Sequence, residues 1–556
     1  MYKHTAPISG IATAQNKWVL TAGYDNRVIL WDANTKSPIS RVFHDHLVNQ
    51  CTFSPRGNFI ATVSSDYSCR IWSFPEMGLT GIINSHKDDV ESAAFHPEEN
   101  LIATCSRDKT ILISDFQGNT KHHLKGHKAD VISVEWSANN NLISSSDDGT
   151  IRVWNTQTGE EVECIDLDEV ETDTIVIASC GTIYAGNDNG EIITISQGKI
   201  KTTPAHDAGI KRLIYDNNRE VIVSLSYDRK MKLWRRYDDG LENYHTTDLP
   251  SIVWPRSCAF LDEDNLVFAS FGDSYAQYNI SEKKWQLAHI KPTHGLNAVQ
   301  LLNGKLWSVG DAGTVFCEEN KVAEMGSLCN FLCEFKGTLL TGGQMGTLFD
   351  ARTGEVVYQH HSPLNCAYSS SGDNSLCVVG SYTGEGIILR EVNNRIQVTD
   401  IVSLHHNAIK GVALSDSLIF SVCADSAAAF HKISDLSCHK YIPKAHDKIA
   451  NGCDGTDSGT FVSISRDLKL RIWNDEKATI IETPSQNSIK CVALSKNNKY
   501  IAIGNYTGWV GIYDLTTERW SYWHRRSFSG ISSIKSTADN FIFSTYEGIC
   551  EYVISE

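Results

Sequence analysis

The phrase "LISSSDDGTIRVWN" (142–155) returns in altered form about every 40 residues, and this repetition constrains the fold more than any other feature. It reappears as "LTAGYDNRVILWD" ending at Asp32, "ATVSSDYSCRIWS" at Ser73 and "ATCSRDKTILISD" at Asp115. Further copies are "VSLSYDRKMKLWR" ending at Arg235 and "VSISRDLKLRIWN" at Asn474. Each runs from a short β-branched stretch through a turn containing Asp, Asn or Gly into a second alternating run. That is the signal of a β-hairpin. No segment sustains a helical period, so the chain is expected to be all-β.

A histidine with an apolar residue four places later precedes most copies: His44 before Val48, His86 before Val90, His127 before Val131 and His206 before Ile210. His405 and His446 fill the same place in the second half. In the fullest copies a Ser or Thr stands four residues before the turn Asp and a Trp six after it. Carried most clearly by "GHKADVISVEWS" and "SSSDDGTIRVWN", this pattern resembles the WD-repeat β-propeller family, and weaker copies extend the likeness over essentially the whole chain.

The resemblance implies a hydrogen-bonded tetrad within each blade. The sets would be His4, Thr21, Asp25 and Trp31; His44, Thr62, Asp66 and Trp72; and His127, Ser144, Asp148 and Trp154. His206, Ser224, Asp228 and Trp234 would form a fourth, and His446, Ser463, Asp467 and Trp473 a fifth. A blade is a small four-stranded sheet that cannot bury its own faces, so blades stack radially. A buried Asp is costly unless hydrogen-bonded, and imidazole and hydroxyl groups supply that pairing. The triad-like histidines and aspartates are therefore expected to be structural.

Weaker copies fill the gaps. "AGNDNGEIITI" (185–195) and "ASFGDSYAQYN" (269–279) complete a first set of about seven. The second set comprises "SVGDAGTVF" (308–316), "TGGQMGTLFD" (341–350), "VGSYTGEGIIL" (379–389), "SVCADSAAAFH" (421–431), the Asp467 copy, "IGNYTGWVGIYD" (503–514) and "STYEGICEYV" (544–553). The expected fold is two seven-bladed WD-repeat β-propellers in tandem, residues 1–290 and a more degenerate 291–556. In the degenerate copies Ser114 and His431 replace the Trp after Asp108 and Asp425. Closure poses a problem, because almost no chain precedes His4 to give the last blade an outer strand. "KKWQLAHI" (283–290) is a candidate for that strand, and little chain follows the final copy.

The formal charge of −16 and pI of about 5.7 argue against direct, wholesale binding of nucleic acid. The 16 cysteines include no CxxC pair; Cys329 and Cys333 in "CNFLC" come nearest. They read as reduced, mostly buried thiols. With no apolar run of 18 or more residues, the chain is expected to be cytoplasmic and to bind no membrane.

Catalytic signatures are missing: there is no HExxH, GxxxxGK[ST], GxSxG or EF-hand loop. No enzyme activity, cofactor, metal or small-molecule substrate is expected. "GSYTGEG" (380–386) and "DGTDSG" (454–459) read as turns. The doublets His122–His123, His360–His361 and His405–His406 each offer one inward ligand at best, since strand neighbours point to opposite faces. The aromatic-basic run "ERWSYWHRRS" (518–527) reads as an outer strand.

In the WD-repeat family the residue before each turn Asp faces the top surface, where partners bind. Here it is Tyr24, Ser65, Arg107, Asp147, Asp188 or Tyr227 in the first half, and Tyr382, Arg466 or Tyr506 in the second. Tyr and Arg are enriched in interface hot spots, which makes Tyr24, Arg107, Tyr227, Tyr382, Arg466 and Tyr506 candidate partner-binding residues. The resemblance implies a non-catalytic protein–protein interaction scaffold that binds a macromolecular partner through its top faces and assembles a multiprotein complex. Its tandem layout is similar to that of actin-interacting protein. The basic residue that marks ubiquitin-ligase adaptors of the family is replaced by Asn in "WDANTK". The alternatives are an enzyme or cofactor-dependent site at a central funnel and an adaptor in a nucleic-acid-processing complex.

Overall fold

The computed structural model describes residues 2–168, 170–237, 240–371, 375–474, 477–537 and 540–554. These residues form antiparallel sheets and no helix, so none is long and apolar enough to cross a membrane. The chain divides into two compact units, Met1–Thr293 and His294–Glu556. The first holds seven four-stranded sheets, each built from four consecutive strands. The second holds six such sheets and a three-stranded seventh among the described residues.

Every sheet has the same sequence logic. Its first strand lies innermost, its second and third are buried between neighbouring sheets, and the fourth, in the thirteen sheets that have one among the described residues, is the most exposed. In the first sheet Trp18–Gly23 is buried almost throughout, whereas Ser37–Phe43 is mostly open to solvent. Strict alternation therefore survives mainly in outer strands. The middle strands are covered on both faces and can read as continuous apolar runs, such as Val28 to Trp31. Burying one such Val, Leu or Ile contributes about 1.5–3 kcal/mol, and those contacts lie between sheets.

Both rings close by packing and not by strand exchange. In the first propeller Ile8–Ala14 packs against Val253–Phe260 of the seventh sheet, Ile11 N–H donates to Ser257 Oγ at 3.1 Å, and Thr13 Oγ1 donates to the Phe260 carbonyl at 2.5 Å. Ile11, Val19 and Trp31 meet Leu261, Val267 and Tyr275 in the closing core. Lys284–Gln286, within "KKWQLAHI", is the outermost strand of that seventh sheet. The segment after it turns back: Gly272 bridges Pro292, and Asp273 N–H donates to the Lys291 carbonyl at 2.8 Å. The first unit therefore ends at Thr293, three residues beyond the boundary read from sequence. In the second propeller Leu296–Leu302 packs against Ile531–Ser536.

One irregularity recurs in all fourteen sheets. The register of the innermost strand slips after its first residue, at Ile8/Gly10, Val48/Gln50, Val90/Ser92 and so on to Ile531/Ser533. Such a β-bulge re-aims a side chain. Here it falls beside the turn between second and third strands, at one end of the central funnel.

Candidate functional site

The tetrad residues meet as follows. His4 Nδ1 lies 3.0 Å from Asp25 Oδ1 and Nε2 lies 2.8 Å from Thr21 Oγ1, which also accepts from Trp31 Nε1 at 2.8 Å. The corresponding distances are 2.9, 2.7 and 2.9 Å for His44, Asp66, Thr62 and Trp72. They are 3.0, 2.8 and 2.9 Å for His127, Asp148, Ser144 and Trp154. For His206, Asp228, Ser224 and Trp234 they are 2.8, 2.7 and 2.8 Å. One chain of donors satisfies all of these groups: indole N–H to hydroxyl, hydroxyl O–H to Nε2, and Nδ1–H to carboxylate. Burial works to raise the pKa of Asp66, Asp108 and Asp148, but the histidine hydrogen bond and charge, together with hydrogen bonds from a nearby hydroxyl and a backbone N–H, outweigh it and hold each well below the usual carboxylate range.

The fifth set differs at one link. Ser463 Oγ still bridges His446 and Trp473, at 2.9 and 2.8 Å, but His446 Nδ1 is 3.7 Å from Asp467. Arg471, almost fully buried, draws that carboxylate to 2.8 Å. Conversely, the third sheet keeps most of a network that its missing Trp hid from the sequence: His86 reaches Asp108 at 2.9 Å and Thr104 at 2.9 Å, with Ser114 in the Trp position. In the second propeller His405 keeps its hydroxyl, Ser421 at 2.9 Å, while the Asp425 carboxylate lies by the Tyr441 hydroxyl at 3.4 Å.

The mouth of each funnel is built by two sets of equivalent, part-buried or buried residues. One set follows the second strand; its N–H always donates to the carbonyl just before the innermost strand of the same sheet, as in Tyr24 to Pro7 at 2.9 Å or Tyr506 to Ser488 at 3.2 Å. It comprises Tyr24, Ser65, Arg107, Asp147, Asp188, Tyr227 and Phe271, then Asp311, Gln344, Tyr382, Ala424, Arg466, Tyr506 and Tyr546. The bulged residues form the other set. All six residues expected to bind partners belong to the first.

In the first propeller these positions carry the acids Glu91, Asp147, Asp173 and Asp188 against the bases Arg107, Lys211 and Arg256. Lys211 Nζ lies 2.5 Å from both Asp173 and Asp188. Arg107 pairs with Glu91 at 2.5 Å and Asp130 at 2.6 Å, so its charge is neutralised inside the mouth. Arg256 of the seventh sheet reaches Glu91 of the third at 3.4 Å, which shows how closely side chains converge across the ring. Burial and the neighbouring Glu171, Asp130 and Asp173 push Asp147 well above the usual carboxylate range. Deeper in the channel, burial pushes Glu135 up to about 7, opposed by the charge of Arg212.

Sequence reasoning missed Trp254 and Arg256 here. The seventh innermost strand slips between Val253 and Cys258, a bulge several residues long that brings both into the mouth. Trp254 meets Tyr24 edge to face at 5.2 Å, and the Arg256 guanidinium lies 5.6 Å from the Trp254 ring. Pro255, which cannot donate to a ladder, was the available signal.

The second mouth has the opposite sign. Its equivalent positions carry one acid, Asp311, against Lys410, Arg466 and Lys490. Lys410 Nζ lies 5.0 Å from the Tyr382 ring and Lys490 Nζ 5.8 Å from the Tyr506 ring, both cation–π contacts. Burial, reinforced by Lys490 and Arg466, pushes the Lys410 ammonium down to about 8. Most other bulged positions of this propeller are Asn, and each amide donates to the first residue of the next sheet's innermost strand. Asn297 reaches the Cys329 carbonyl at 3.1 Å, Asn330 that of Leu364 at 2.8 Å, Asn365 that of Ile409 at 2.6 Å and Asn451 that of Ile489 at 2.6 Å. These clasps join neighbouring sheets, and sequence reasoning missed them too.

Other sequence candidates fall elsewhere. "DGTDSG" joins two strands, and its Asp454 carboxylate accepts from Leu494 N–H at 2.8 Å. Within "ERWSYWHRRS", Arg519–Arg525 is an outermost strand whose Trp523 stacks on Trp509 with centroids 5.6 Å apart. The one-ligand argument fails at His360–His361. The preceding strand ends at Gln359, so the two rings are not forced to opposite faces, and both Nε2 atoms approach Glu385.

The family model for "WD domain, G-beta repeat" matches residues 1–32, 37–73, 78–115, 118–155 and 197–235. The chain is 23% identical over 265 residues to the transcriptional corepressor LEUNIG_HOMOLOG of Arabidopsis thaliana, covering 39% of this chain and 34% of that protein. It is 28% identical over 159 residues to a guanine nucleotide-binding protein subunit beta of Oryza sativa subsp. indica, covering 26% and 42%. It is 23% identical over 262 residues to the ribosome biogenesis protein WDR12 homolog of Drosophila mojavensis, covering 40% and 60%. The matched stretch thus spans less than two thirds of each relative. The first propeller is built of WD repeats, and the same sheet-and-turn plan is carried through the second.

Proposed function

We propose that the chain is a non-catalytic scaffold that binds protein partners through the mouths of its two propellers and holds them in one complex. The observation that carries this reading is the contrast in charge at equivalent positions: an acidic, aromatic mouth in the first propeller and a cationic, tyrosine-lined one in the second. Such surfaces select partners by complementary charge. The first suits a segment rich in Lys or Arg, and the second suits an acidic segment. The relatives' names, a corepressor, a subunit of a guanine nucleotide-binding protein and a ribosome biogenesis protein, support a role within assemblies. All sixteen cysteines are free thiols, which supports a cytoplasmic or other reducing location.

The test is affinity capture with mass spectrometry. The variant Tyr24→Ala/Tyr227→Ala should lose one set of partners and Tyr382→Ala/Tyr506→Ala another, both losses growing with salt. Unchanged recovery by both variants, with their fold intact by circular dichroism, would overturn the assignment. A second reading, catalysis in the first funnel, draws on Glu135 alone, a part-buried carboxyl that desolvation pushes up to about 7. It requires an activity that Glu135→Gln abolishes while partner capture survives.

A further inference from the structure

The third sheet of the second propeller keeps the tetrad histidine and has lost its reasons for keeping it. His360 N–H donates to the Gly346 carbonyl at 2.9 Å, the same backbone placement that His206 has on Gly190 at 2.8 Å. Strand register then puts Val379 where the hydroxyl would stand, Thr383 in place of the Asp and Leu389 in place of the Trp. No tetrad can form.

The ring has other neighbours. His360 Nδ1 lies 3.2 Å from the Ser362 carbonyl oxygen and equally near its N–H. In the tautomer with Nδ1–H on that carbonyl, Nε2 presents a lone pair. The His360 side chain is 1% exposed, and its Nε2 lies 3.1 Å from Glu385 Oε2, yet out of line for a hydrogen bond. His361 lies beside it, ring centroids 4.2 Å apart and planes tilted by 37°, with its Nε2 3.6 Å from the same carboxylate oxygen. The three donor atoms lie within 4.8 Å of one another. A tetrahedral zinc site with arms of about 2.0–2.1 Å has ligand–ligand edges of about 3.3 Å. The two distances to Oε2 bracket that value, and the misaligned short approach is what two donors aimed at a common third point produce. Thr383 Oγ1, standing in the lost Asp position, donates to Glu385 Oε2 at 2.6 Å and orients the carboxylate, as a second layer of contacts does around bound metals.

We propose that His360 Nε2, His361 Nε2 and Glu385 Oε2 form a three-ligand site for Zn2+, with the fourth position open to solvent. Two imidazoles and one carboxylate suit this borderline ion better than Ca2+ or Mg2+, which take oxygen ligands. The site is independent of partner binding at the mouths.

The experiment uses the full chain, free of tags and stripped of metal, titrated with Zn2+ against a chromophoric chelator and separately with Co2+. One saturable site per chain is expected, with visible Co2+ absorption and no thiolate charge-transfer band. Glu385→Gln and His361→Ala should each weaken binding at least about tenfold. His361 is half-exposed, so its removal leaves the core untouched, and His406→Ala, at the exposed member of another doublet, should change nothing. Absence of a saturable site, a thiolate band, or affinity indifferent to both ligand variants would overturn the assignment, leaving only a histidine–carboxylate contact.

Discussion

The two propellers solve one problem in different ways. Each must satisfy polar groups at the end of the ring where turns crowd together. The first does so within sheets: four of them carry an unbroken run from indole to hydroxyl to imidazole to carboxylate, and a fifth lacks only the indole. The second has a single such run, stretched to 3.7 Å at its acidic end, and relies on four asparagine clasps between sheets. The first has a counterpart of the clasp at Asn49, whose amide reaches the Val90 carbonyl at 3.0 Å, and at Ser9, whose hydroxyl donates to the Val48 carbonyl. In the first propeller the bulged position is varied, with Glu91, Asp173 and Lys211 beside the clasps at Ser9 and Asn49, whereas in the second it is largely Asn. Lys410, Lys490 and Ser532 are the exceptions, and both lysines face the mouth.

The strongest way to break this comparison is to remove a hydroxyl from a tetrad. Ser144→Ala would leave His127 Nε2 and Trp154 Nε1 both buried and unpaired, at about 1–3 kcal/mol for each group. Hydrogen exchange read by mass spectrometry should show protection falling across the first propeller. A loss below about 0.5 kcal/mol would mean that packing alone holds the blade.

Asn330→Ala comes next. It orphans one carbonyl, that of Leu364, and deletes a bond between the second and third sheets of the second propeller, so one penalty of about 1–3 kcal/mol is expected. Loosened exchange should appear in both flanking sheets. If only the sheet bearing Asn330 loosens, the clasp does not join blades.

Much of this was legible before any coordinates. The constant intervals of Ser or Thr, Asp and Trp fix where a turn must return to its own sheet, because those contacts are local to one hairpin. The clasps were hidden although "LNAVQLL", "CNFLCEF", "LNCAYS" and "ANGCDG" all place Asn second in the innermost strand. Their acceptor lies in the next repeat, and only the bulge turns the amide toward it. Arg256 and Glu91 stand 165 residues apart and meet only because a ring brings its third and seventh sheets face to face. His360 and His361 escaped for the opposite reason: a strand pattern was extended one turn too far, and the carboxylate they share belongs to another strand of the next hairpin.

The gentlest perturbation tests whether Lys410 gave up a clasp for a charge. Its folded pKa of about 8 lies below the ordinary lysine value, so between these limits the unfolded chain binds more protons than the folded one. Stability of the second propeller should therefore rise as pH increases from 8 to about 9.5, below the range in which phenols titrate. Solvent screening at this part-exposed ammonium keeps the gain under about 1 kcal/mol. Lys410→Asn should abolish the slope and, by supplying an amide opposite the first residue of the next innermost strand, Ala450, raise the melting temperature at pH 7. It should also weaken capture of an acidic partner. A variant that melts lower than the parent, or keeps the slope, would show that this position was never a clasp site and that its charge is tolerated at no structural cost.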